Sequence, residues 1–248
     1  MTHHDGGWGI LSTQQEEDQA RAQAVSDPAA YHAAIAAKEL HWYDTDGKQW
    51  VSQAGADAWQ GWHAASGEEG SADTSWTPWS SALDADAAPF YRWFVDGQTN
   101  ACFNLLDRHV LSGRGKNQAL VFEGDRWDPS KNEGRGGPVF EQRLSYRELL
   151  VEVALRARVL KSLDLSAGDR IALNLPNILE QIFYILAAQR LGVIYTPVFG
   201  GFSAKTLSDR IHDAGAKVVI TADGGYRNAE VVPYKSTYAD PALDNYVP

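Results

Sequence analysis

The chain has 248 residues, enough for one large core or two smaller ones. Hydrophobic residues make up 44% and charged residues 22%, the balance of a globular rather than a disordered chain. The formal net charge of -10 argues against generic nucleic-acid or anionic-membrane binding, which needs clustered Lys and Arg, although one well-placed arginine can still serve a buried polyanion.

Cys102 is the sole cysteine, so no intrachain disulfide forms and a reducing cytoplasm fits. Met1 to Gly7 lack the basic and apolar regions of a signal peptide. The apolar run from Ile178 to Leu191 is broken by Glu180, Gln181, Gln189 and Arg190, and is too short and polar to span a bilayer. A soluble cytoplasmic protein is expected.

Residues 1 to about 26 read as a polar arm, forming a solvated helix or nothing fixed. Asp27-Pro28 is a helix start, with the helix running through Tyr31, Ile35 and Lys38 to about Leu40-His41-Trp42. Residues 44–88 are rich in Gly, Ser, Ala, Asp and Trp without periodicity and read as an irregular insertion. The expected domains are an N-terminal arm (1–43), this insertion (44–88) and the first part of a larger domain (89–248).

Order returns at Pro89 to Phe94. A helix is predicted from about Asn104 to Leu111, and Ala119 to Phe122 reads as a buried strand. Residues 124–138 read as a loop. Ser145-Tyr146-Arg147-Glu148 is a capping box, opening a helix with Leu149, Val153, Ala157 and Leu160 on one face.

The richest stretch follows. Ile171 to Leu175 reads as a strand, and residues 178–191 as a helix with Ile178, Ile182, Ile185 and Leu186 inward and Gly192 closing it. Val193 to Phe199 is a second strand, Ser203 caps a helix through Leu207 and Ile211 that closes at Gly215, and Lys217 to Ala222 is a third strand. The fold class is therefore α/β: a parallel βαβαβ subdomain preceded by a helical and irregular arm.

Ligands of open parallel sheets bind beyond the carboxyl ends of the strands, where two glycine turns fall. Phe199-Gly200-Gly201-Phe202-Ser203 allows close approach of a ligand to backbone and leads into a helix N-terminus, which favours anions. The plainer reading is a tight strand-to-helix connection. Arg227, after Asp223-Gly224-Gly225-Tyr226, can meet a phosphate, or can pair with Asp223 or Glu230 on the surface. Neighbouring strands would bring the two turns side by side.

Other signals are thin. Gly113-Arg114-Gly115-Lys116 lacks the first glycine and the Ser/Thr of a Walker loop and reads as a surface turn. The histidines show no metal-ligand spacing, so no metal is expected. Eight of the nine tryptophans precede residue 100, which suggests either a sugar-stacking surface or aromatic packing of an irregular arm. No nucleophile–base set or carboxylate pair stands out, so no catalytic residue is assigned.

From Asp27 onward the chain resembles the AMP-forming acetyl-CoA and propionyl-CoA synthetases of the acyl-adenylate-forming superfamily. The matching pieces occur in family order. They are Asp27-Pro28…Leu40-His41-Trp42, Trp93-Phe94…Gly97-Gln98-Thr99-Asn100 and Asn104-Leu105-Leu106-Asp107-Arg108-His109. Ala119-Leu120-Val121-Phe122-Glu123-Gly124-Asp125 and Leu144-Ser145-Tyr146-Arg147-Glu148-Leu149 come next. The most specific are Phe199-Gly200-Gly201-Phe202-Ser203 and Thr221-Ala222-Asp223-Gly224-Gly225-Tyr226-Arg227. Val232-Pro233-Tyr234-Lys235 looks slightly more like propionyl-type members.

The resemblance implies a ligase that joins a short carboxylic acid, propionate or a relative, to ATP with Mg, releases pyrophosphate and passes the acyl group from AMP to CoA. It implies that Phe199 packs against the CoA adenine, Gly200 and Gly201 allow close approach, and Arg227 meets the 3′-phosphate. Where many acetyl-CoA synthetases carry a second arginine, this chain has Glu230. The family's phosphate loop, ribose-binding aspartate motif and adenylation lysine do not occur here, so the chain reads as the opening portion of a longer synthetase, inactive alone. The arm and insertion resemble the ligase part of multidomain propionyl-CoA synthase. The partners implied are the rest of the synthetase chain and CoA, with an oligomer compatible. The alternative is a non-catalytic nucleotide- or partner-binding module derived from such a synthetase.

Overall fold

In the computed structural model the described residues are 13–43, 50–51 and 79–244. Residues 1–12, most of the 44–88 segment and the terminal Val247-Pro248 lie outside them. The chain is mixed α/β with small sheets and divides into two compact units, Met1–Asn100 and Ala101–Pro248.

In the first unit, α1 (Gln14–Ser26) buries no residue, as the Gln- and Glu-rich sequence requires of a solvated helix. Its start is a full capping box: Thr13 Oγ1 accepts from the Glu16 amide and Glu16 returns the bond to Thr13 N. Asp27 caps α2 (Pro28–Glu39), with proline at the first turn where its missing N–H costs nothing. The core of this unit is aromatic. Trp42 and Trp79 are 4% and 9% exposed, their rings 5.1 Å apart, and each packs on Phe94. The Trp42 indole N–H donates to Ala36 O at 3.0 Å. Phe94 belongs to an antiparallel hairpin of two strands, Ser81–Asp84 and Arg92–Val95. Two of the tryptophans that suggested a sugar-stacking face are therefore spent on packing.

The second unit opens on a helical stretch, residues 101–114, longer than the Asn104 to Leu111 helix expected. It contains two π-helical turns, Phe103–Asp107 and Val110–Arg114, and Gly113 at φ 82° breaks it. The strand expected at Ala119 to Phe122 runs from Gln118 to Glu123 and is half-exposed rather than buried. Among the described residues it pairs with the antiparallel strand Glu141–Ser145, and Ala119, Leu120 and Phe122 pack on the core while Val121 is exposed. Within the loop 124–138, Trp127–Asp128 pairs with Gly137–Pro138. The Ser145 capping box forms, opening α3 (Tyr146–Ser162) with Leu149, Val153, Ala157 and Leu160 buried.

Three strands, β1 (Arg170–Asn174), β2 (Ile194–Pro197) and β3 (Val218–Thr221), form a parallel sheet with β1 in the centre. Period-two alternation sends Ile171 and Leu173 into one core and Ala172 into another. The first core holds α3 and α4 (Leu179–Leu191); the second holds Leu207 and Ile211 of α5 (Ala204–Ala214) and Ala242 of α6 (Asp240–Asp244). The crossover helices α4 and α5 thus lie on opposite faces. Gly192 and Gly215, both left-handed, close them. The buried face of α4 is Leu179, Phe183, Leu186, Ala187 and Ala188, rotated from the expected one. Ile182 is 37% exposed, because Phe183 supplies the larger apolar area and takes the inward position.

No described helix is long and apolar enough to cross a membrane.

Candidate functional site

Beta strands β2 and β3 flank β1 on opposite sides, so chain direction diverges at β1 and leaves a crevice beyond the strand ends. A cleft of about 500 Å³ lies there. Leu175, Pro176 and Asn177 after β1, Val198 to Gly201 after β2, and Tyr226, Arg227 and Tyr234 after β3 line it. Glu123 and Asp125 form its acidic wall. The four residues singled out from sequence, Phe199, Gly200, Gly201 and Arg227, are all in this one cleft.

The glycine turn is shaped by its neighbours. A Cβ built on Gly201 would stand 2.6 Å from Phe199 Cε1 and 2.7 Å from Arg227 Nη1. One on Gly200 would stand 2.6 Å from Tyr234 Cζ, and closer still to its hydroxyl. Both glycines therefore exist for close approach: each occupies the space a side chain would deny to Arg227 or Tyr234. Their amides make no hydrogen bond among the described residues. Ser203 caps α5 behind them, its Oγ accepting from the Thr206 amide at 3.2 Å.

The collision predicts different outcomes at the two positions. Gly201→Ala meets the far ends of two flexible side chains and is expected to shift stability by under about 0.5 kcal/mol while displacing Arg227. Gly200→Ala meets a ring that is 4% exposed and cannot swing away, an overpacking worth about 1–3 kcal/mol. Urea midpoints of the two variants check this; equal midpoints contradict it.

Arg227 is presented by a feature the sequence did not announce. Gly225–Arg227 and Glu230–Val232 form a tight antiparallel hairpin, with Asn228 at φ 52° and Ala229 at φ 63° in its turn. Asn228 was the one available cue, since asparagine tolerates the left-handed turn. The Ala229 amide donates to Asp125 Oδ2 at 2.6 Å, and the Arg126 guanidinium lies over the Tyr226 ring, 5.6 Å from its centroid. The loop after Glu123 thereby braces the hairpin. Arg227 pairs with neither Asp223 nor Glu230; its guanidinium sits 5.5 Å from the Phe199 ring centroid. Phe199 is 62% exposed and meets Phe202 edge-to-face at 5.7 Å. A guanidinium above an exposed aromatic ring, beside free amides, suits an anionic ligand with a planar aromatic part.

Tyr234 also lines the cleft, and nothing in its sequence spacing marks it as doing so. Burial, reinforced by Tyr238, pushes its phenol pKa up while Arg227 pulls it down. It stays protonated at neutral pH and can donate. Among the described residues, no group of His, Cys, Asp or Glu side chains is placed to hold a metal ion. Cys102 is wholly buried, and burial pushes its thiol up to about 11, so it is no nucleophile at neutral pH.

Two family models match the chain: an AMP-binding enzyme model over residues 125–245 and an acetyl-coenzyme A synthetase N-terminus model over residues 67–105. The second begins inside the 44–88 segment. The chain is similar to the acetyl-coenzyme A synthetase of Mycobacterium tuberculosis (strain CDC 1551 / Oshkosh), at 44% identity over 171 residues, 68% of this chain and 24% of that protein. Against that of Methylobacillus flagellatus it is 43% identical over 173 residues, covering 69% and 24%. The corresponding Rhodopirellula baltica protein is 33% identical over 235 residues, 95% of this chain and 29% of its own length. The chain thus spans about a quarter of the length of these relatives.

Proposed function

Because the chain belongs to the AMP-forming acetyl-CoA synthetase family, whose N-terminal part it matches, we propose that its strand-end cleft is part of the site for the nucleotide end of CoA. Phe199 packs on the adenine, Gly200 and Gly201 admit the ligand to the backbone, and Arg227 holds the 3′-phosphate. The observation that carries this reading is the placing of the Arg227 guanidinium against Gly201 and over Phe199, without an ion-pair partner among the described residues.

The complete synthetase converts ATP, a short carboxylate and CoA into acyl-CoA, AMP and pyrophosphate, in the cytoplasm. Residues 89–248 are the first part of its adenylation domain, with the parallel βαβαβ unit as the start of the domain's sheet. Propionate or a related acid is the substrate, a choice that rests on Val232-Pro233-Tyr234-Lys235. The ATP and Mg sites lie in the rest of the synthetase. None of the residues named here does chemistry; the segment positions CoA for it.

The test uses Arg227→Ala in the full synthetase polypeptide that contains this chain. The loss of a charge-assisted bond is expected to weaken CoA by about 1.5–3 kcal/mol and dephospho-CoA far less. Equal weakening of both ligands removes Arg227 from the 3′-phosphate.

A further inference from the structure

Tyr234 lines the same cleft with its hydroxyl. Its ring is 4% exposed, fixed edge-on against Tyr238 with centroids 5.4 Å apart, and its residue opens the π-helical turn Lys235–Ala239. The hydroxyl nonetheless makes no hydrogen bond among the described residues. It is turned to Gly200, at the wall of the cleft. The ring is buried, but the hydroxyl opens onto the cleft, where water or a ligand can accept its proton. Arg227 approaches Gly201 and Tyr234 approaches Gly200. Adjacent Cα atoms are about 3.8 Å apart, so the two donors flank a single short stretch of backbone. Burial and Tyr238 keep the phenol protonated, hence a donor.

We propose that the Tyr234 hydroxyl is a second ligand donor in the cleft, giving its proton in a hydrogen bond to the same phosphate that Arg227 holds. This rests on the reading of the cleft as a CoA-nucleotide site. The geometry divides the work: the guanidinium supplies charge, and the phenol, on a rigid ring, supplies direction. The absence of a side chain at both glycines is what lets the two donors reach one anion.

Tyr234→Phe keeps the ring, its contact with Tyr238 and its fit against Gly200, and deletes only the hydroxyl. In the full synthetase polypeptide that contains this chain, it is expected to raise KM for CoA about tenfold with kcat held within about twofold, and to change KM for dephospho-CoA little. Arg227→Ala is measured beside it. If Arg227→Ala discriminates CoA from dephospho-CoA while Tyr234→Phe leaves both unchanged, the Tyr234 role is wrong and the site reading stands. Equal loss for the two ligands in Tyr234→Phe also overturns the role, since the hydroxyl would then not face that phosphate. If neither variant alters CoA binding, the site reading falls and takes this inference with it. A thermal midpoint for Tyr234→Phe matching the parent separates the lost donor from lost structure.

Discussion

Arg190→Ala is expected to destabilise the second unit by about 3–5 kcal/mol. Arg190, in the last turn of α4, reaches Asp107 of the first π-helical turn at 2.6 Å, and the two side chains are only 28% and 17% exposed. Removing the guanidinium leaves a carboxylate in a site that already disfavours its charge. Burial pushes the Asp107 pKa up, and Arg190 is what pulls it back. A carboxyl whose folded pKa exceeds its unfolded value contributes stability at low pH, which is lost as pH rises through the folded value. Without Arg190 that folded value climbs further. The deficit of Arg190→Ala should therefore be full at neutral pH and shrink on acidification, as Asp107 takes up a proton. Adding Asp107→Asn should recover most of it at pH 7. Urea midpoints at pH 5 and 7 decide the matter; a deficit below about 1 kcal/mol, or one that ignores pH, means the pair does not bear on stability.

Leu173→Ala carries the next largest effect, about 2–5 kcal/mol. Leu173 is 1% exposed on the central strand, registered against Pro197 on one side and Ile220 on the other. Its side chain fills the core between the sheet and helices α3 and α4. With paired strands on both edges, β1 cannot collapse into the space, so the cavity persists. Leu175, Pro176 and Asn177 at the end of this strand line the cleft, and CoA binding should weaken together with stability. Val231→Ala, at a position 66% exposed on the nearby hairpin, is the control and should shift stability by under about 0.5 kcal/mol. A Leu173 variant matching this control would show that the sheet is not the unit's keystone.

Much of the strand–helix order was legible in residue pattern. Ser145 with Glu148, Ser203 with Thr206, Gly192 and Gly215 mark helix ends through bonds and backbone angles that only neighbouring residues supply. The same holds for the buried face of α3. Structure departs from residue pattern where burial depends on a distant layer. On α4 the expected Leu186 is buried and Ile185 packs on the core, but Phe183 replaces Ile182 as the inward residue, since both are apolar and local periodicity cannot say which one meets a core. The β-formers of Gln118–Glu123 suggest a buried strand, yet only Ala119, Leu120 and Phe122 pack on the core while Val121 is exposed, and among the described residues the strand pairs on one edge.

Sequence by itself determined most of the helices and the three parallel strands, their caps and the presence of glycines at two strand ends, since each depends on torsional preference and on contacts within a few residues. Tertiary structure alone decided that β1 stands between the two strands expected to be neighbours while their turns still share one cleft, that Arg227 faces Gly201 rather than Glu230, and that Tyr234 reaches Gly200. These facts follow from the order of strands in the sheet and the bracing of a hairpin by Asp125, a residue 104 positions away from Ala229. Such contacts are set by packing across the whole unit, and no local preference encodes them.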